Sequence, residues 1–379
     1  MRPSGPVADA SHPIAPDDRL ARALAPDLID RDPSGILLAV SGGPDSTALM
    51  HAVAALRSHR PLHVATVDHG LRPEARSEAE AVGRLAANLG LPHRILTWDA
   101  PRRTGGVQAA ARAARYRLLA DHAASLGAGL VMTGHTSDDQ AETVLMRLVA
   151  GSGPAGLAGM GARRALAPGV DLARPFLALP KAALVAYCRS HGLPTLRDPT
   201  NTDERFARAR LRRLLPVLAA EGLTPERLRR LAARLARDAA ALDRRAASVL
   251  AECRLPAGPG CRVLDGRRLA AEPDALVLRV LDTALEDVTE TPGGRRLERL
   301  ERLVLDALLP ALRGATPLRR TLRGVLVEAT GSGEVRLAPA PPRRPAGRAA
   351  SPGRGADGLA AGTADLLGKG EGAAYIGRE

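Results

Sequence analysis

Ile36-Leu37-Leu38-Ala39-Val40, then Ser41-Gly42-Gly43-Pro44-Asp45-Ser46-Thr47, then Ala48-Leu49-Met50-His51-Ala52-Val53-Ala54-Ala55-Leu56 is the stretch that decides the fold. The first run is short and wholly apolar, as in a buried parallel strand. The last reads as a helix. A glycine-rich turn between strand and helix is a phosphate cradle. Glycine lets the backbone approach an anion closely, and the free N–H groups of the helix start point at it. Ser41, Ser46 and Thr47 add hydroxyl donors, and Asp45 is placed to hold a divalent ion. No Gly-Lys-Ser/Thr follows, so this is not a Walker loop, nor is it the dinucleotide G-x-G-x-x-G. The competing reading is a serine and glycine turn that only caps a helix.

The strand-and-helix pattern continues outward. Strands are predicted over 62–67, 93–98 and 130–133, and helices over 76–89, 107–126 and 138–149. This alternation predicts an α/β fold built on a parallel, doubly wound sheet. Ligands in such sheets sit beyond the carboxyl ends of the strands. Three polar clusters fall there: 41–47, 68–72 and 134–142. From 204 to 250 the chain turns helical, with Thr224-Pro225-Glu226 as a capped start. Helices over 272–287 and 294–309 follow. A hairpin is then expected, pairing 321–329 with 334–337 around Gly331-Ser332-Gly333. The predicted organisation is a flexible N-terminus (1–19), a nucleotide-binding catalytic domain (20–215), a smaller helical and α+β domain (216–337), and a low-complexity tail (338–379) too poor in apolar residues to order itself.

The chain has 379 residues and a formal charge of +13, and all but two of its 54 basic residues are arginine, the exceptions being Lys181 and Lys369. That balance favours a polyanionic partner, and arginine's planar fork suits phosphate. Aromatics make up 2% of the chain, which argues for phosphate and shape contacts over base stacking. Three cysteines without a C-x-x-C fit a reducing cytosol rather than a zinc site or a disulfide framework. No segment has the length and apolarity of a leader or a membrane span, so a soluble, cytoplasmic protein is expected.

Each polar cluster offers chemistry. Asp68 and His69 are placed to contact ribose, adenine or a nucleophile, and Arg72 to face phosphate. Asp138 and Asp139 open a helix, where carboxylates are electrostatically favoured and so also serve as caps. Beside a phosphate loop they are candidates for holding Mg²⁺, or for receiving the ammonium of a cationic substrate. Arg112 and Arg115 share one helix face.

Taken in order, Ser41–Ser46, Asp68-His69-Gly70-Leu71-Arg72, Ala111-Arg112 with Arg115-Tyr116, and Gly134-His135 through Asp138-Asp139-Gln140-Ala141-Glu142-Thr143 resemble a known series. Arg174-Pro175-Phe176, Asp198-Pro199-Thr200-Asn201 and Arg208 to Arg212 continue it. The loop alone resembles that of the ATP pyrophosphatases. The whole series resembles the tRNA(Ile)-lysidine synthetase family, well over 20–220 and more weakly to about 337. Two positions depart from it. Ala209 follows Arg208 where the family usually has Asn, and Gln108 or Ala110 stands where it often has Glu.

The resemblance implies ATP, Mg²⁺, L-lysine and the isoleucine tRNA with a CAU anticodon as ligands, with a homodimer as one assembly state. It implies that ATP adenylates the O2 of the wobble cytidine. The lysine ε-amine then displaces AMP at C2, so that the tRNA reads AUA in place of AUG. It assigns nucleotide binding to Ser41, Gly42, Gly43, Pro44, Asp45, Ser46, Thr47, Asp68 and His69. Catalysis falls to Asp45, His135, Asp138 and Asp139, with Asp45 and Asp139 as metal ligands. RNA contacts fall to Arg72, Arg112, Arg115, Arg208 and Arg212. The rival within the same fold is a tRNA thiolase, which needs reactive cysteines or an iron–sulfur cluster.

Overall fold

The apolar run before the glycine turn forms β1 (Gly35–Ala39), every residue of it buried. A computed structural model describes residues 18–28, 34–70, 73–98, 107–196, 207–288 and 297–341. β1 lies at the centre of a sheet, parallel both to β2 (Leu62–Asp68) and to β4 (Ala128–Thr133). β2 pairs in parallel with β3 (His93–Thr97), and β4 with β6 (Val170–Ala173). Strand β5 (Arg163–Ala167) closes the order β3-β2-β1-β4-β6-β5.

Alternation along β1 sorts its side chains onto two faces, as the pleat requires. Ile36 and Leu38 pack with Leu20, Leu24 and Leu28 of α1 (Asp18–Leu28), with Leu49, Met50 and Val53 of α2 (Pro44–Ala55), and with Val82 and Ala86 of α3 (Ala75–Asn88). Leu37 and Ala39 pack on the opposite face with Leu119 and Ala123 of α4 (Val107–Ser125). The doubly wound core therefore follows the expected pattern. β5, however, is antiparallel to β6. Only Pro168 and Gly169 (φ 72°) join the two strands, and a link that short can make a hairpin but not a parallel crossover.

After β4 come α5 (Ser137–Val149) and the short α6 (Pro154–Leu157), and after β6 comes α7 (Lys181–Ser190). Helices α8 (Ala207–Ala220) and α9 (Pro225–Cys253) follow. The Thr224 hydroxyl accepts from the Arg227 N–H at 3.2 Å and Pro225 takes the first helical position, as the sequence implied. α9 has 29 residues and so runs about 43 Å. Its first turns pack Leu228 and Ala232 against Ala141, Val144 and Leu145 of α5. Its last turns give Ala246, Val249, Leu250 and Cys253 to a separate aliphatic core.

That second core lies under an antiparallel sheet. Its strands are β7 (Arg254–Leu255), β8 (Arg262–Asp265), β9 (Leu318–Leu322), β10 (Val325–Ala329) and β11 (Glu334–Pro339), in the order β7-β8-β11-β10-β9. The segment expected as one strand over 321–329 is instead two strands. Arg323 and Gly324 both have positive φ, 52° and 78°, and reverse the chain between them. The Arg323 guanidinium is held at 2.6 Å by Asp282, which offsets the left-handed backbone there. Through Pro339 the chain forms one compact unit, and of the second, Ala340–Glu379, only residues 340 and 341 are described.

Candidate functional site

The site is built where β1 and β4, neighbours in the sheet, send their following loops in opposite directions, the position at which open α/β sheets bind ligands. Gly42 has φ 82°, and a Cβ there would lie 2.5 Å from the Leu196 side chain. The Leu196 N–H donates to the Gly42 carbonyl at 2.8 Å, so the loop is held from behind. Gly43 is the N-cap of α2 with no side-chain partner, and Pro44 follows at the first helical position. The Ser46 hydroxyl accepts from the Ser41 N–H at 3.1 Å and donates to the Gly43 carbonyl at 3.1 Å. The Thr47 hydroxyl donates to the Gly42 carbonyl at 3.2 Å. The hydroxyls that the sequence offered as ligand donors thus also brace the cradle. Gly134 sits against it, since a Cβ there would lie 2.6 Å from the Asp45 carbonyl oxygen.

Asp45 points into this corner. One carboxylate oxygen accepts from the Lys181 ammonium at 2.5 Å, and the other is buried with no hydrogen-bond partner among the described residues. Burial pushes the Asp45 carboxyl up, against the opposing pull of Lys181, and Asp139 and Asp138 push the same way as burial. Asp138 accepts from the Lys181 backbone N–H at 2.8 Å, so it caps α7.

Asp139 closes a reciprocal cap with Thr136. Its Oδ2 accepts from the Thr136 N–H at 2.9 Å, and its Oδ1 from Arg208 at 2.7 Å. Burial raises the Asp139 pKa, but the Thr136 N–H and Arg208 outweigh it and hold the carboxyl below its ordinary value. Glu142, one turn on, is buried and accepts from the Nε of Arg208 and of Arg212, each at 2.6 Å.

His135 stands between these acids and a group of arginines. Burial, then Arg115, hold its pKa down to about 3 against the pull of Asp139, so the imidazole is neutral. Its Nδ1 lies 2.8 Å from the Thr133 hydroxyl. His69 is also pushed below its ordinary value, by burial and then Arg115, and packs edge-on against Trp98 at 6.0 Å. Asp68 accepts from the Gly70 N–H at 2.9 Å and shapes that loop. The guanidiniums of Arg112 and Arg164 both lie over Tyr116, 5.2 and 5.1 Å from the ring centre. Burial raises the Tyr116 hydroxyl, but Arg112, Arg115 and Arg174 more than offset it. Arg174 donates to the Gly161 carbonyl at 2.7 Å, and Arg147 to the Gly156 and Gly159 carbonyls.

A family described as a PP-loop domain matches residues 16–218. The tRNA(Ile)-lysidine synthase of Methylobacterium sp. (strain 4-46) is 56% identical over 350 residues, which cover 90% of this chain and all of that one. The protein of the same description from Methylobacterium nodulans is 54% identical, covering 89% of this chain and 99% of the relative. The chain belongs to the tRNA(Ile)-lysidine synthase family. Among solved structures, the U34-tRNA thiolase NcsA of Methanococcus maripaludis, described with an iron–sulfur cluster, is 17% identical with a TM-score of 0.49, covering 57% of this chain and 77% of that one.

For this lysidine synthase family member, the structure brings Ser41 to Thr47, His135, Asp138 and Asp139 to one corner, with Asp68, His69, Arg112 and Arg115 beside it. Arg72 and the Asp198-Pro199-Thr200-Asn201 segment lie outside the described residues. Arg208 and Arg212, expected on RNA, are turned inward onto Asp139 and Glu142. Sequence reasoning left Lys181, Glu142, Arg164 and Arg174 off the site. Glu142 stood in the quoted motif, and its place one turn after Asp139 was the available signal. Lys181 is 136 residues from Asp45, and only its rarity marked it.

Proposed function

We propose that this protein uses ATP to join L-lysine to C2 of the wobble cytidine in the isoleucine tRNA with a CAU anticodon, through an adenylated tRNA, releasing AMP and diphosphate. The relatives' descriptions support this reading. The observation that carries it is the meeting, at one sheet switch point, of an anion cradle with the half-buried carboxylate of Asp139 and the buried carboxylate of Glu142. The cradle suits the pyrophosphate of ATP. Carboxylates that already hold two cationic side chains suit the lysine amine.

The cytidine O2 is a poor leaving group until it carries AMP. Loop N–H groups, with the bracing of Ser41 and Ser46, stabilise charge on the departing pyrophosphate. The orphaned, buried oxygen of Asp45 fits a hard cation, so Asp45 would hold Mg²⁺. Asp139 joins as a ligand only if Arg208 releases it. When bound, the ion neutralises phosphate charge. The attacking ε-amine must first lose a proton. The imidazole of His69 and the carboxylates of Asp138 and Asp139 are candidates to take it; His135, held down to about 3, is a poor acceptor.

Arg112, Arg115, Arg147, Arg164 and Arg174 lie close enough to perturb one another or the same Tyr116 and His135. Of these, the exposed Arg112 and Arg164 suit RNA phosphates beside the reacting base, while the buried Arg174 holds the Gly161 carbonyl. We assign catalysis to 20–215 and further tRNA contacts to 216–337, in a cytoplasmic enzyme. None of the described helices is long and apolar enough to cross a membrane. Thiolation is disfavoured by the cysteines. Cys188 is buried, its thiol pushed up to about 11 by burial and Asp45, and it donates to the Pro44 carbonyl. Steady-state release of AMP that requires both lysine and the CAU tRNA tests the assignment, and release without either one overturns it.

A further inference from the structure

Lys181 is one of two lysines among 54 basic residues. Everywhere else in the described structure this chain meets the need for positive charge with arginine. An ammonium differs from a guanidinium in being a compact point charge on a flexible stem with three rotatable donors, able to swing between oxygens. A lysine kept amid arginines, at the loop that cradles an anion, calls for an explanation from that chemistry.

Its placement is fixed from two sides. The Lys181 N–H, at the first position of α7, donates to Asp138 at 2.8 Å. Further along, α7 is fastened to α2 by the Tyr187 hydroxyl, 2.8 Å from His51 Nδ1, and by the Cys188 thiol, which donates to the Pro44 carbonyl at 3.3 Å. α2 is the helix whose N-terminus forms the cradle. The stem of Lys181 is therefore anchored while its tip rests on Asp45 at 2.5 Å. The Lys181 side chain stays 47% exposed, on the open side of that carboxylate. An ion pair this exposed adds little to stability. Stability therefore does not account for it.

We propose that Lys181 is a member of the pyrophosphate subsite. While the site is empty its ammonium neutralises the half-satisfied Asp45 carboxylate. When a nucleoside triphosphate enters, the ammonium turns from Asp45 to the β- and γ-phosphate oxygens. This rests on the reading of the 41–47 loop as the phosphate cradle, and it adds a ligand that neither the loop motif nor the sheet topology supplies.

Calorimetric titration of the full-length protein with α,β-methylene-ATP and, separately, with AMP tests it, using the wild type, Lys181→Met and Lys181→Arg. Lys181→Met is expected to weaken the triphosphate analogue by about tenfold or more, the scale of a lost charge-assisted contact. AMP affinity stays within about twofold, which also shows that the loop is folded. Lys181→Arg is expected to restore analogue binding to within about threefold of wild type. Unchanged analogue binding in Lys181→Met overturns the proposal, as does an equal loss for AMP and analogue. The titrations need neither tRNA nor lysine. A protein that shows the Lys181 effect yet makes no lysidine would sink the reaction assigned above and leave this subsite standing. A lysidine-forming enzyme indifferent to Lys181→Met would do the reverse.

Discussion

Two glutamates in this molecule each sit between two arginines, and they differ in burial. Glu142, 4% exposed, accepts from Arg208 and Arg212 at the corner of the parallel sheet. Glu252, 36% exposed, faces Arg245 and Arg268 on the far end of α9. The second arrangement is a solvated surface pair of the kind worth at most about 1 kcal/mol. The first places a carboxylate out of water, which is costly unless it is fully paired, and so marks a place where charge is wanted for something besides folding. The same contrast runs through the two cores. The core beneath the second sheet is aliphatic apart from Cys253, whereas the first surrounds Thr47, Asp68, Thr133, Thr136, Gln140 and Glu142, all buried.

The contrast breaks most visibly at Asp45. Asp45→Ala removes a loop carboxylate and is expected to lower turnover about a hundredfold or more, by analogy with lost oxyanion donors, while the melting temperature barely moves. Near-normal turnover would show that the corner is structural like the rest.

Next in size is the direct comparison of the two glutamates. Glu142→Ala strands Arg212, 41% exposed, and leaves Arg208, 38% exposed, with Asp139 alone. The expected loss is about 1–3 kcal/mol, below the figure for fully buried pairs because water reaches the arginines. Glu252→Ala is expected to cost under about 1 kcal/mol. Chemical denaturation of both variants decides it, and equal losses would erase the distinction.

Smaller again are the arginines around Tyr116. If Arg112 and Arg164 meet RNA phosphate, each change to Ala lowers the salt slope of tRNA binding by about one unit. The same change at Arg268, paired outward with Glu252, leaves the slope alone.

The smallest effect is in pH. His51, His69, His93 and His135 are all pushed below the ordinary value of 6.5, burial being the first cause in each. The unfolded chain then binds protons at a higher pH than the folded one. Stability is therefore full above about pH 6.5 and declines as pH falls below it. Melting curves at pH 8 and pH 5.5 check the sign, and His51→Asn is expected to flatten the slope.

Local chemistry was readable in advance, and contacts between distant segments were not. β1 and its loop were legible because an apolar run, a glycine turn and a helix start occur within about 20 residues. β5 was not, since Arg163-Arg164-Ala165 on an edge strand has no buried face to leave a pattern. The second sheet was miscounted at Arg323-Gly324, where only the Gly hinted at a turn. Asp138 and Asp139 were found together, but their separate jobs depend on Lys181 and Arg208, which lie 43 and 69 residues away. The inward turn of Arg208 and Arg212 follows from α8 packing on α5, a tertiary fact with no local signature.

Every role assigned to the corner depends on the reaction itself. Full-length protein incubated with ATP, lysine and the CAU isoleucine tRNA, followed by digestion and mass spectrometry of the anticodon fragment, tests it most directly. The expected result is a gain of one lysine less one water on the wobble cytidine, dependent on ATP and absent with Asp45→Ala. An unmodified cytidine, or exchange of an oxygen for sulfur, would contradict it.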